Sequence, residues 1–246
     1  MSKVLEERNI LELAKPILGE IYGNFQVVPE QTDRPDAAII SDTIEGRIGI
    51  EITSVDGTDV QQYFNDEKFG RDIESKLIDD VISSGKHSDR PTKKLSIPFP
   101  KSYIADGVLK KIDKHSEYFA SGEYEEIILI SFSEYLEIRG RHFESYHKPW
   151  TWHLLKEKSF PFSKVIFVCK NNGDSSLVYD KNAPAPEPPE CDPDKELGIT
   201  RTIGPIIPPG KMVNLYKIIS DEPHIAPREK HRKKGRKNSR KISRKK

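Results

Sequence analysis

Cysteine is scarce in this 246-residue chain, and the two present, Cys169 and Cys191, belong to no CxxC pair and no Cys/His ladder with zinc spacing. That removes a structural zinc module and a disulfide framework, and free thiols in a reducing cytoplasm are expected. Long apolar runs are missing too. No stretch approaches the roughly 20 apolar residues of a membrane span, and the opening MSKVLEERNILELAKPIL mixes charge into every turn. A soluble intracellular protein with no membrane partner is the expectation. Nor is there a nucleophile elbow, a P-loop, a dinucleotide fingerprint or an HExxH helix, so the common enzyme classes built on those motifs are excluded.

Charge of one sign is scarce in the whole chain, whose formal net charge is +1, but not in its parts. Arg228 to Lys246 holds 12 Lys or Arg against one acid, Glu229, a net +11, which leaves −10 on the remainder. The acidic body repels a polyanion, whereas the tail attracts one through counterion release. Residues 224–246 therefore read as a basic tail, disordered when unbound, that binds nucleic acid, directs localisation or serves only as a solubilising extension. The hydrophobic class makes up 35% of the chain, lean but sufficient for one catalytic-sized domain.

Val4 to about Tyr22 repeats apolar residues at helical spacing, weakened at Pro16 and stopped by Gly23. Ala37–Ser41 and Arg47–Ser54 read as a β-hairpin whose second strand alternates, with Ile48, Ile50 and Ile52 on a core face and Glu51 and Thr53 on a polar one. Helical periodicity returns from Val60 to Ser84, divided near Gly70, and again from Tyr103 to Phe119, with a loop over Lys86–Pro100. Glu126–Phe132 and Lys164–Lys170 are apolar, β-branched runs typical of buried strands. Residues 181–223 read as a Pro-rich linker in which Met212–Ile219 adds an edge strand or a docking segment.

The chemistry concentrates in RPDAAII, Arg34–Ile40, and IGIEIT, Ile48–Thr53. Hydrolysing a phosphodiester requires a nucleophile at neutral pH and neutralisation of charge on the phosphate, and a divalent metal supplies both. Mg²⁺ takes oxygen ligands, typically one or two carboxylates with waters and substrate phosphate. Asp36 before one strand and Glu51 within its hairpin partner can present that pair from rigid backbone, provided the register places both on one face.

This pattern resembles the PD-(D/E)XK nuclease superfamily, whose common core is a helix, a motif-bearing sheet hairpin, a further helix and a last strand. Pro35-Asp36 matches its PD element and Glu51-Ile52-Thr53 its (D/E)XK element, with Thr53 where lysine is usual. The resemblance covers Val4 to Phe132 and extends toward Lys170. It implies an α/β, restriction-endonuclease-like fold over residues 1–180, with a mixed sheet and helices on both faces. It also implies a Mg²⁺- or Mn²⁺-dependent nuclease acting on DNA or RNA, with Asp36 and Glu51 holding metal.

The family often adds an acid on the first helix, for which Glu20 is preferred, with Glu12 and Glu6 as alternatives. Some members carry the lysine on the following helix, where Lys68, Arg71 and Lys76 are candidates and Lys76 is favoured. The second reading of the whole is a nuclease-fold protein that binds nucleic acid through the basic tail without hydrolysis.

RHFESYHKPWTWH, with His142, His147 and His153, matches no defensible zinc spacing. A surface loop or lid is expected there, its aromatics pinning it to the core or stacking on unpaired bases.

Overall fold

The computed structural model describes residues 3–31, 33–190 and 197–228. Cys191 and the basic tail beyond Arg228 lie outside the described residues. The fold is α/β with a mixed sheet, and no helix among the described residues is long and apolar enough to cross a membrane. The chain forms two compact units, one of residues 1–62 and 96–201, the other of residues 63–95 and 202–246.

The first unit is built on a six-stranded sheet: β1 (Phe25–Val27), β2 (Ala37–Ser41), β3 (Arg47–Ser54), β5 (Tyr124–Ser133), β6 (Lys164–Cys169) and β7 (Ser175–Asp180), in that spatial order. β1, β2 and β3 are antiparallel neighbours, β3, β5 and β6 run parallel, and β7 returns antiparallel. A parallel pair needs a long crossover, usually helical. The β3-to-β5 connection supplies α4 (Tyr103–Leu109) and α5 (Ile112–Phe119), both in contact with β5.

α1 (Lys3–Tyr22) runs through Pro16 and ends where the Gly23 N–H bonds the Gly19 carbonyl, Gly23 taking the positive φ of 67° that this stop requires. Its buried Ile10, Leu11, Ala14, Leu18 and Tyr22 pack on Ile48, Ile50 and Ile52 of β3 and on Ile128, Ile130, Ile166 and Val168 of the neighbouring strands. The opposite face is buried as well. Phe167, alternating with Ile166 and Val168, stacks on Phe143 at 5.5 Å. Glu51 and Gly49 thus lie on a covered polar face of β3, whereas the sequence pattern alone distinguished only a core face from a polar one.

The histidine-rich stretch corrects the loop expectation. Phe143–His147 forms a π-helical turn and Lys148–Glu157 forms α6, with Phe143, Tyr146, His147, Thr151 and Leu155 buried. Phe143 and Tyr146 are packing groups, one of the two roles expected of the aromatics here; the difference is that helical turns, not a loop, carry them.

The second unit contains α3 (Arg71–Ser84), with α2 (Thr58–Asn65) leading into it, and α7 (Leu215–Ser220). Phe69 lies edge-on to Tyr63 at 5.9 Å, and the Tyr63 hydroxyl donates to the Ile225 carbonyl at 2.7 Å. Gly70, with φ of 81°, leaves room for Ile225, whose Cδ1 would lie 2.6 Å from any Cβ placed there. Two segments expected to be irregular are strands, β4 (Lys93–Pro98) and β8 (Gly198–Ile203), which pair as a separate two-stranded sheet. Where Met212–Ile219 was expected to give a strand or docking segment, Asn214 caps α7 by accepting from the Tyr216 and Lys217 N–H groups.

Candidate active site

The β2–β3 register pairs Ala37 with Ile50, Ala38 with Gly49 and Ile39 with Ile48. Carried one residue outward, it sets Asp36 opposite Glu51. β2 begins at Ala37, so Ile52 N–H has no β2 carbonyl to bond; Asp36 Oδ2 accepts it instead, at 2.7 Å. The carboxylate is therefore anchored by the backbone of the strand that carries Glu51. The approach to Asp36 is fixed by Gln31, whose Nε2 donates to the Asp33 and Pro35 carbonyls at 2.8 and 2.9 Å and whose Oε1 accepts from the Tyr124 hydroxyl at 3.0 Å.

Glu51 is 3% exposed, which for a carboxylate demands partners. Oε1 accepts from Lys111 Nζ and Oε2 from the Tyr118 hydroxyl, each at 2.6 Å. Lys111 precedes the first turn of α5 and Tyr118 stands seven residues later, two helical turns on, so one helix face presents both. Burial, then the bond to Glu51, pushes the Tyr118 phenol well above its ordinary range, and it remains a donor.

Asp36 is pushed up to about 6, chiefly by burial, with Glu51 and Glu7 raising it further and the Ile52 N–H and Lys3 working against them. Lys3 Nζ lies 2.9 Å from Glu7 and 4.0 Å from Asp36. Glu7, Arg8, Gln31, Asp36 and Ile52 help line a cavity of about 300 Å³ between α1 and the sheet end.

Asp56, at the end of β3, is buried and accepts from the Tyr103 and Ser133 hydroxyls and the Glu134 N–H. It ties the start of α4 to the end of β5, and so fixes the helical connection that delivers Lys111.

The donor set suits a hard cation. Asp36 and Glu51 offer only oxygens, and each carboxylate has about four lone-pair sites, so the existing donors leave acceptor capacity. Burial is the main cause of the raised Asp36, and the Glu51 and Glu7 charges that add to it are what a cation would relieve. Among the described residues no three His, Cys, Asp or Glu side chains gather closely enough to hold one ion by themselves. Any cation held here would have Asp36 and Glu51 as its carboxylate ligands among the described residues.

Other residues expected at the site fall elsewhere. Glu20 is exposed near the end of α1, thirteen residues from Glu7, or about 20 Å along the axis. Glu12 pairs with Lys15 and Glu6 with Lys170. The first-helix acid whose charge reaches Asp36 is Glu7. Among the described residues the Thr53 hydroxyl makes a 3.5 Å contact with the Ser54 carbonyl. Lys68, Arg71 and Lys76 belong to the second unit, where Lys76 lines a cavity with Asp80, His87 and His224. The cation at Glu51 is Lys111. The sequence signal that could have found it is a Lys and a Tyr seven apart on the helical stretch directly before a buried strand.

Compared with protein-family models, curated proteins and solved structures, the chain matches none.

Proposed function

We propose that this protein is a metal-dependent nuclease of the PD-(D/E)XK type that hydrolyses phosphodiester bonds in DNA. The observation that carries the reading is the junction of Asp36 and Glu51 through the hairpin register, with Lys111 delivered to Glu51 by the crossover between parallel strands. Helix, motif-bearing hairpin, further helix and last strand follow in the family's order. α2, α3 and β4 are then insertions, and α5 takes the place of the following helix.

Asp36 and Glu51 would hold Mg²⁺ or Mn²⁺, which when bound would make an attacking water more acidic and offset charge on the phosphate. Lys111 replaces the positive charge that Thr53 lacks and stabilises the negative charge that builds on phosphate as water attacks. Tyr118 donates to one Glu51 oxygen and the Ile52 N–H to one Asp36 oxygen. The test is cleavage of single-stranded, double-stranded and branched DNA and RNA with each metal. Activity abolished by Asp36→Ala and by Glu51→Ala is expected, and no cleavage of any substrate by the wild type overturns the reading.

A second reading, nucleic-acid binding without hydrolysis, is favoured by one observation: both Glu51 oxygens already have protein donors. It requires salt-sensitive binding that survives both carboxylate substitutions and collapses when residues 228–246, outside the described set but for Arg228, are deleted.

A further inference from the structure

α5 carries more than the two donors to Glu51. The neighbours of Lys111 on the helix surface one turn further on are Lys114 and His115. His115 leads in turn to Phe119, whose ring lies nearly parallel to the imidazole, with centroids 5.9 Å apart and 11° between planes. The proposed chemistry uses none of these three.

The aromatic pair is fixed from beneath. The His115 ring stands edge-on to Phe162 at 5.1 Å, and Phe162 is fully buried. Burial, then the Lys181 charge, holds the imidazole below its ordinary range, so at neutral pH it is an uncharged ring. Phe119 lies over it and is nevertheless 63% exposed. One face of the phenyl ring is therefore backed by a ring anchored in the core, and the other opens to solvent.

The other flank of Lys111 is basic. Lys114 Nζ lies 2.9 Å from Glu117 Oε2, and Arg34 Nη1 lies 3.8 Å from Glu117 Oε1. The Lys114 side chain is 39% exposed and that of Arg34 70%, so both cations are within reach of a ligand, and sharing one carboxylate leaves them a net positive charge. Arg34 is set there by the segment that ends in Asp36, because Gln31 Nε2 donates to the carbonyls of Asp33 and Pro35 on either side of it. Tyr118, next to Glu117, donates to Glu51, so this charge borders the carboxylate pair.

Such a surface distinguishes paired from unpaired strands. Backbone phosphates attract cations in either state. A base can stack on a protein ring only where no neighbouring base covers its face, as in an unpaired strand. Lys111 and Phe119 are about 12 Å apart along the helix axis, a span that one strand can bridge.

We propose that Arg34 and α5 form a binding surface for single-stranded nucleic acid, with a backbone phosphate held by Arg34 and Lys114 and an unpaired base stacked on Phe119. The choice of nucleic acid as the ligand rests on the nuclease reading.

Fluorescence anisotropy of the full chain in EDTA, where metal-dependent cleavage is suppressed, tests this with labelled DNA and RNA single strands, their abasic analogues and duplexes. Base-bearing single strands are expected to bind roughly tenfold tighter than abasic ones. Phe119→Ala should erase that difference and leave duplex affinity unchanged, and Phe119→Trp should keep it. Arg34→Gln and Lys114→Gln should weaken base-bearing and abasic strands alike, each lowering the slope of log affinity against log salt by about 0.7. Circular dichroism checks folding, and if Phe119→Ala fails to fold, Phe119→Leu, which keeps a bulky side chain without the flat ring, takes its place. Tighter binding of DNA or of RNA assigns the sugar and supports the proposal either way. Equal affinity for base-bearing and abasic strands, a preference that persists in folded Phe119→Ala, or an unchanged salt slope in both cation variants overturns it. Metal-dependent cleavage without base preference would remove this inference and leave the nuclease reading, and base preference without cleavage of any substrate would do the reverse.

Discussion

Lys111 Nζ donates to Glu51 Oε1 at 2.6 Å, across sixty residues of sequence, and Glu51 is nearly inaccessible to water. Removing the lysine leaves a buried carboxylate with one donor fewer. Lys111→Met is expected to lower kcat by roughly 10²–10³ and stability by about 1.5–3 kcal/mol. Lys111→Arg should recover part of both. Single-turnover cleavage and urea denaturation measure the two effects separately, and wild-type turnover in a folded Lys111→Met protein removes Lys111 from the chemistry.

Tyr118 holds the other Glu51 oxygen. Tyr118→Phe should cost about 1–2 kcal/mol in stability, while freeing Oε2 for a cation. The half-saturating Mg²⁺ concentration for cleavage should therefore fall. A rise would mean that the phenol orients Glu51 for the metal instead of competing with it.

Asp36 titrates near 6 in the fold and about 3.9 in an unfolded chain. The folded state binds this proton more tightly, so its contribution to stability is complete below about pH 4 and is lost as pH rises through 6. Asp36→Asn removes that dependence and should be more stable than wild type at pH 7.5 by roughly 2–3 kcal/mol, with little gain at pH 4. Mg²⁺ should stabilise the wild type increasingly above pH 6 and leave Asp36→Asn unmoved. Thermal melts across pH, with and without Mg²⁺, check both.

Gly107 permits α4 to lie directly on the end of β3: a Cβ there would sit 2.6 Å from Val55 Cβ and 2.8 Å from its Cα. Gly107→Ala should cost about 1–3 kcal/mol and, by shifting the connection to α5, depress cleavage more than its loss of stability explains. Calorimetry together with cleavage rates would reveal a purely structural effect as loss in the first alone.

The elements of the first unit were largely legible because their patterns are strong: the period of α1, the alternation of β3, and the apolar runs of β5 and β6. β4 and β8 were not, since short, mostly part-exposed strands leave little hydrophobic signature and adjoin proline-rich sequence. At the site, Asp36 and Glu51 stood out because their neighbours form a hairpin. Lys111 and Tyr118 did not, because their relation to Glu51 depends on which helix spans the crossover. Helical residues 58–84 intervene in sequence and drew the search for a cation toward Lys76. Glu7 was passed over for Glu20 because helical periodicity gives a face but not which end of the helix meets the sheet.

β3 is flanked on one side by its hairpin partner and on the other by β5, which ends 79 residues later. During synthesis at roughly 5–20 residues per second, that interval lasts about 4–16 s. Throughout it, IGIEI presents an open, isoleucine-rich edge capable of pairing with another nascent chain. The same strand that places Glu51 is thus where the yield of folded protein should be most sensitive to expression rate and temperature.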